Sequence, residues 1–262
     1  MSGMEIVTLH RGHSPLIISC PHDGSFIPDA MAARMTARAR VAPDTDWHIS
    51  QLYEFARDEL GASMLVPSHS RYVVDLNRPP DGIALYPGRR ETGLVPTLRF
   101  DGEPVYRAGL EPDADEIQAR VETYWRPYHD ALTAEIARVH AKHGRVILWE
   151  AHSIRSVVPM FFDGRLSDLN IGTADGASAS PALTARLRTV LDGQSRHTHV
   201  INGRFKGGYI TRHYADPARG IEAVQLEMAQ SCYMDEDSFA YRNDLAGQVQ
   251  PVLRALLAAA LA

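Results

Sequence analysis

The sequence predicts an α/β protein in which a mixed, mostly parallel sheet is flanked by helices. Short apolar runs rich in β-branched residues alternate with stretches of helical periodicity, as expected of βαβ-type units. Several of those runs stop abruptly at polar side chains, as strands do where they deliver residues to a crevice at the sheet edge. The chain has 262 residues, 45% hydrophobic and 23% charged, an ordinary globular composition with enough length to bury a sizeable core. A single domain over 1–262 is the simplest organisation, since no internal repeat or low-complexity tract divides the chain.

In chain order, strands are expected at Leu16–Cys20, Ser63–Val66, Tyr72–Leu76, Val146–Trp149, His199–Ile201 and Ala223–Leu226. Helices are expected at Asp29–Arg40, Asp46–Leu60, Pro112–His143 with a break near Pro127, Pro181–Leu191 and Asp237–Leu261. Asp44 or Thr45 suits the N-cap of the second helix, and Gly61 its stop. The stretch Arg78–Gly109, rich in Pro, Gly and Arg, reads as a long functional loop, and Phe162–Ala179 as a second.

Twenty-seven Lys and Arg against 32 Asp and Glu leave a net charge of −5, which argues against a general affinity for nucleic acid. No apolar run approaches the roughly 20 residues of a membrane helix; Leu253–Leu261 is too short. The first residues lack the basic and apolar segments of a signal peptide, and two cysteines, Cys20 and Cys232, offer no disulfide framework. A cytoplasmic setting is therefore expected, with Cys20 an inert thiol within a strand.

Three apolar runs carry the chemistry. Leu16-Ile17-Ile18-Ser19-Cys20 leads into Pro21-His22-Asp23-Gly24. Val146-Ile147-Leu148-Trp149 delivers Glu150 and His152, which share a side if the strand continues through them. Glu222-Ala223-Val224-Gln225-Leu226 delivers Glu227. Neutral imidazoles and a carboxylate suit a catalytic zinc ion, which takes three protein ligands and leaves a position for water. His22 and His152 supply two, and Asp44-Thr45-Asp46-Trp47-His48 supplies candidates for the third: Asp46 in the first turn, Asp44 as cap, and His48. Glu227 fits a general base, because an acidic residue ending an apolar strand is costly to bury without a task or a partner. Each has a structural alternative: a hydrogen-bonded histidine, a Glu227–Arg pair, or helix-start aspartates. No fixed short spacing of the His-Glu-x-x-His kind supports the set, so the weight rests on coincidence at strand ends.

A cationic feature points to the substrate. Asn202-Gly203-Arg204-Phe205-Lys206-Gly207-Gly208-Tyr209-Ile210-Thr211-Arg212 combines three cations with adjacent glycines, and Arg71 and Arg78 flank another apolar run. Arginine binds carboxylates in a bidentate manner, and Gly207 and Gly208 let backbone N–H groups approach a ligand. A small dicarboxylate is the partner expected, held by Arg204 and Arg212 with Arg78 next; a structural Arg71–Asp75 pair is the simpler reading there. Phosphate loops, nucleophile elbows and dinucleotide fingerprints are absent from the sequence.

These residues resemble the N-formylglutamate amidohydrolase family over nearly the whole chain. The likeness rests on Pro21-His22-Asp23-Gly24, Asp44-Thr45-Asp46-Trp47, Ser70 through Pro80, Tyr124-Trp125-Arg126-Pro127-Tyr128-His129, Ala151-His152-Ser153-Ile154-Arg155, Asn202 through Tyr214, and Gln225-Leu226-Glu227-Met228. The resemblance implies a phosphorylase/hydrolase-like fold similar to zinc carboxypeptidases and zinc amidases. It also implies hydrolysis of N-formyl-L-glutamate to formate and L-glutamate in cytoplasmic histidine degradation. By it, His22, Asp46 and His152 hold Zn2+ or another divalent metal and Glu227 is the base; a monomer or small homo-oligomer is expected. The carboxypeptidase pattern places a ligand Glu where this chain has Ser25, so Asp44 and then Glu150 stand behind Asp46. A zinc deacylase of another N-acyl amino acid and a metal-free dicarboxylate-binding protein are the rival functions.

Overall fold

The structure, a computed structural model, describes residues 5–83 and 91–262. Seven strands form one sheet: β1 (Val7–His10), β2 (Leu16–Ser19), β3 (Ser63–Pro67), β4 (Val146–Ile154), β5 (Leu169–Gly172), β6 (His199–Ile201) and β7 (Ile221–Ala229). Their order is β1-β3-β2-β4-β7-β5-β6, with β1–β3 and β5–β7 antiparallel and the other pairs parallel. The mixed, mostly parallel α/β class is thus the observed one. From β2 the chain steps first to β3 on one side and later to β4 on the other, so strand order reverses between β2 and β4. Such a reversal opens a crevice at the carboxyl ends of the two strands.

Both faces of the sheet are covered, which explains why its central strands read as continuous apolar runs. One face sends Leu16, Ile18, Trp149, Val224 and Leu226 against α6 (Pro181–Asp192) and α8 (Asn243–Leu261). The helices answer with Leu183, Leu187 and Leu191, and with Val249, Leu253, Leu256 and Leu257, at helical spacing. Ser180 caps α6 by accepting from Leu183 N at 3.1 Å, with Pro181 in the first turn. The other face packs Ile17, Leu148 and Ala223 against Leu132, Ile136 and Val139 of α5 (Arg126–His143). On this second face the apolar pattern gives way near the carboxyl ends to Glu150, His152, Gln225 and Glu227.

Departures from expectation have local causes. Tyr72–Leu76 is a buried turn, not a strand: Asp75 takes Asn77 N at 2.9 Å into its side chain, and Arg78 N returns to Asp75 O. Its apolar residues reflect burial in two clusters, not a ladder. Two strands lacked a sequence signal: β1 is short and half-exposed, and β5, Leu-Asn-Ile-Gly, carries two poor strand formers inside the predicted loop Phe162–Ala179. The Asp29–Arg40 helix shrinks to α1 (Asp29–Ala32) with a 3-10 turn at Ala39–Val41. The Asp46–Leu60 helix becomes α2 (Ile49–Leu52) and α3 (Glu54–Asp58), entered through His48 at φ 64°, because Asp44 and Asp46 are engaged elsewhere. Near Pro127 the break is real: α4 (Ala114–Arg120) passes through a π-turn at Val121–Trp125 into α5. A short α7 (Tyr209–Tyr214) replaces the second half of the expected cationic loop, and the last helix starts at Asn243, not Asp237. In Arg78–Gly109, residues 84–90 lie outside the described residues, and the rest holds no helix or strand.

Candidate active site

β4 is longer than expected and runs through Ile154, so Glu150 and His152 stand within it on one face. β7 likewise extends past Glu227 to Ala229, and its register sets Glu150 beside Gln225 and His152 beside Glu227. Cross-strand partners share a face, so four polar side chains form a block two strands wide. His22 enters from the turn after β2. Asp46 reaches the same place because its N–H donates to His22 O at 3.0 Å and its Oδ2 accepts from Ser153 N at 3.1 Å.

The three predicted ligands converge. His22, Asp46 and His152 each present one ligand atom, and these atoms lie within 4.8 Å of one another. Asp46 Oδ2 is 3.0 Å from His152 Nδ1 and 3.6 Å from His22 Nδ1. The far nitrogen of each ring is held by a different carboxylate: His22 Nε2 lies 2.7 Å from Asp75 Oδ1, and His152 Nε2 lies 2.7 Å from Glu150 Oε1. Asn77 Nδ2 closes on the His152 Nε2 side at 3.1 Å. A carboxylate behind each imidazole fixes the ring and its tautomer, which leaves both Nδ1 atoms facing inward. Asp46 Oδ1 is buried without a hydrogen-bond partner, with Arg71 Nη1 3.7 Å away, so this acceptor has lone pairs left for a cation. Donor chemistry, spacing and the orphaned oxygen all fit a divalent metal of the zinc type.

The supporting carboxylates are themselves tied down. Arg71 donates to Asp75 Oδ2 at 2.7 Å, so the expected structural pair exists and serves the site. Glu150 accepts from Thr211 N at 3.1 Å and from the Thr211 hydroxyl. Glu150 thus stands behind His152, outside the His22–Asp46–His152 group. Asp44, the other fallback, accepts from Tyr72 Oη at 2.5 Å and Phe100 N at 2.9 Å, and stands outside the ligand group. His48 bonds Phe239 O at 2.8 Å and is also outside it.

Electrostatics separates the acids. Burial works to raise Asp46 and Asp75, yet the adjacent histidines, with Arg71 beside Asp75, hold both well below the usual carboxylate range. Burial also opposes charge on His152, but Glu150 and Asp46 override it and raise the imidazole well above its ordinary value. Glu227 behaves oppositely: burial pushes it up to about 8, and Asp46 adds to the rise while His152 opposes it. Among the described residues no hydrogen bond or ion pair reaches its carboxylate, so the Glu227–Arg alternative is not the arrangement found.

Asp46, His152 and Glu227, together with His22, line one cavity, from which Asp75 is set back. Its walls carry Arg71, Arg78 and Arg204, the polar Asn77 and Gln225, and the rings of Phe100, Phe161 and Phe205. Arg78 is held in place by Thr92 O, Thr92 Oγ1 and Asn77 O, and Arg204 donates to Phe161 O and packs over Phe161 and Phe205. Of the glycine pair, Gly208 lines the cavity, but its N–H is spent on Gln225 Oε1 at 2.7 Å. A Cβ there would meet Asn77 Nδ2 at 2.3 Å, so close packing, not ligand contact, demands glycine. Gly207, at φ 117°, and Arg212, exposed on α7 with Nε donating to Gly207 O, are not among the lining residues.

Comparison with known proteins gives this geometry a family. Residues 14–234 match N-formylglutamate amidohydrolase. The chain belongs to that family. It is 51% identical over 259 residues to an N-formylglutamate deformylase of Pseudomonas putida, covering 98% of this chain and 96% of the relative. A second N-formylglutamate deformylase, from Pseudomonas aeruginosa, is 52% identical with 98% and 97% covered. The crystal structure of N-formylglutamate amidohydrolase from Ralstonia eutropha superposes with a TM-score of 0.81 at 24% identity over 97% of both chains, a likeness of fold. As a member of the N-formylglutamate amidohydrolase family the chain is a hydrolase, and the binding-protein alternative falls away.

Asp75, Asn77 and Gln225 were missed as parts of the site. Asp75 had a signal, an acid between Val74 and Leu76 in an apolar run. Gln225 had one too, lying two residues before Glu227 and therefore on its face.

Proposed function

We propose that the chain hydrolyses the formamide bond of N-formyl-L-glutamate, releasing formate and L-glutamate, with a divalent cation, zinc foremost, held by His22, Asp46 and His152. The observation that carries this reading is a buried Glu227 carboxylate, without a hydrogen bond among the described residues, set in register beside a His–Asp–His group in a cavity walled by arginines. The names of the two relatives at 51% and 52% identity support the substrate. When bound, zinc would supply Lewis acidity, polarising the formyl oxygen and making water a better nucleophile near neutral pH.

The chain's own groups do the rest. Glu227 takes the proton from the attacking water and returns it to the departing glutamate nitrogen. A carboxyl group at about 8 without a cation becomes an ionised base once positive charge gathers on the adjacent ligands. Asp75 and Glu150 hold His22 and His152 with Nδ1 inward, so no reorientation is needed on binding. Arg78 and Arg204 bind the two substrate carboxylates, and Arg71, beside Asp46, adds positive potential where negative charge develops on the formyl oxygen. Phe100, Phe161 and Phe205 exclude water from the substrate stem. The activity would belong to cytoplasmic histidine degradation in a monomer or small homo-oligomer.

The test is formate release from N-formyl-L-glutamate before and after chelation, with zinc restored, alongside N-acetyl- and N-succinyl-L-glutamate. Chelator-sensitive, zinc-restored release with strong preference for the formyl substrate is expected. Equal rates on the acetyl substrate would make it a broader deacylase, and chelator-insensitive turnover would remove the metal.

A further inference from the structure

A second set of ligating side chains meets outside the cavity. Asp168 immediately precedes β5, His197 lies two residues before β6, and Cys232 sits in the 3-10 turn Gln230–Cys232 after β7. Because β5 runs parallel to β6 and antiparallel to β7, the beginnings of the first two strands and the end of the third meet at one edge. There a carboxylate oxygen of Asp168, a ring nitrogen of His197 and Sγ of Cys232 lie within 4.8 Å of one another. None of the three lines the active-site cavity.

Each segment is fixed. Asp168 and Thr198 exchange hydrogen bonds, Asp168 N to Thr198 Oγ1 at 2.9 Å and Thr198 N to Asp168 Oδ2 at 3.0 Å. Gln194 clamps the His197 backbone, accepting from His197 N at 2.8 Å and donating to His197 O at 2.7 Å. The ring held this way presents a buried Nε2 with no hydrogen-bond partner. A buried polar atom in a rigid frame calls for a partner, and the two neighbouring groups are metal-ligand types. Arg165, a mostly exposed side chain, reaches Asp168 Oδ1 only at 3.5 Å, and the single backbone donor on Oδ2 leaves the carboxylate with lone pairs to spare.

We propose that Asp168, His197 and Cys232 form a second binding site for a borderline divalent cation of the zinc class, tying the β5–β6 edge of the sheet to the end of β7. One thiolate, one imidazole and one carboxylate suit zinc or cobalt and discriminate against magnesium and calcium, which prefer all-oxygen shells. Binding forms the sulfur–metal bond and sends the Cys232 proton to solvent; a ring nitrogen of His197 gives its lone pair, and water fills the remaining position. Burial and Asp168 keep the free thiol protonated, at about 12, so uptake strengthens as pH rises.

The experiment titrates cobalt(II), then zinc, into the metal-free full-length chain and follows absorbance and stoichiometry. About two cobalt ions per chain are expected, with a thiolate-to-cobalt charge-transfer band in the near ultraviolet that zinc abolishes. Cys232→Ala should erase the band and leave about one ion; His152→Ala should also leave about one but keep the band. His197→Ala reads the same loss should Cys232→Ala fail to fold by circular dichroism. Absence of the band in the unmodified chain, or its survival in Cys232→Ala, overturns the proposal irrespective of any variant's stability. A chain that keeps chelator-sensitive formate release but shows no band loses this site alone and leaves the active-site reading intact.

Discussion

The His152 and Glu227 sides of the cavity floor are neighbours in register, yet they are built on opposite principles. Around His152 and His22 every outward-facing ring nitrogen has a carboxylate, and each carboxylate has its own donor in Thr211 or Arg71. Around Glu227 there is burial and, among the described residues, no side-chain hydrogen bond. A ligand needs a fixed direction, which layered hydrogen bonds provide. A base needs a proton affinity near the working pH, which an unsupported buried carboxylate provides. The same strand pair therefore carries one over-determined residue and one left under-satisfied.

The most severe way to break the comparison is Glu227→Gln. It should lower turnover by about 100- to 10,000-fold while the His–Asp–His cation stays bound, checked by formate assay and metal analysis. Comparable loss of the cation would mean that Glu227 belongs to the ligand side. Next come Glu150→Gln and Asp75→Asn, which should weaken binding of that cation by about 10- to 100-fold in chelator competition. Unchanged affinity would show that the rings need no such support.

A gentler probe uses pH on the metal-free chain. Glu227 binds its proton more tightly folded, at about 8, than unfolded, near 4.5. Its contribution to stability is therefore full below the lower value and is lost as pH rises through the window between them. The slope is at most about 1.4 kcal/mol per pH unit. Urea melts at several pH values should show this decline, and Glu227→Gln should flatten it. Smallest of all, Ser180→Ala removes the cap of α6 on the opposite face and should cost about 1 kcal/mol of stability without altering turnover. A change in catalytic rate there would mean the two faces are coupled.

Much of the site was legible because strand periodicity is short and strict. Once Glu150 and His152 were seen two apart after an apolar run, a shared face followed, and Glu227 after a similar run fell into place beside them. Asp46 was offered by its place after Asp44-Thr45 and favoured by the resemblance, with Asp44 left open; in the structure the pull of Tyr72 and Phe100 on Asp44 separates the two. Asp75 stayed hidden because Tyr72–Leu76 has the composition of a strand while its backbone turns through side-chain hydrogen bonds. β5 was invisible for the converse reason, a ladder formed by Asn and Gly because β7 and β6 impose it. The helices from Pro181 and toward Leu261 were readable from apolar spacing alone, whereas Asp46–Leu60 broke up because its acids serve the cavity.

The pairing of His152 with Glu227 across β4 and β7 has a further consequence for how errors in this molecule show themselves. A slip of one residue between those strands would turn Glu227 toward α6 and α8, bury a carboxylate in hydrocarbon and bring Leu226 to the cavity floor. Misaligned chains would be inert instead of acting on the wrong amide. Specific activity per folded molecule thus doubles as a gauge of strand alignment, and attempts to change what the cavity accepts belong in its arginine- and phenylalanine-bearing loops, not in the two strands.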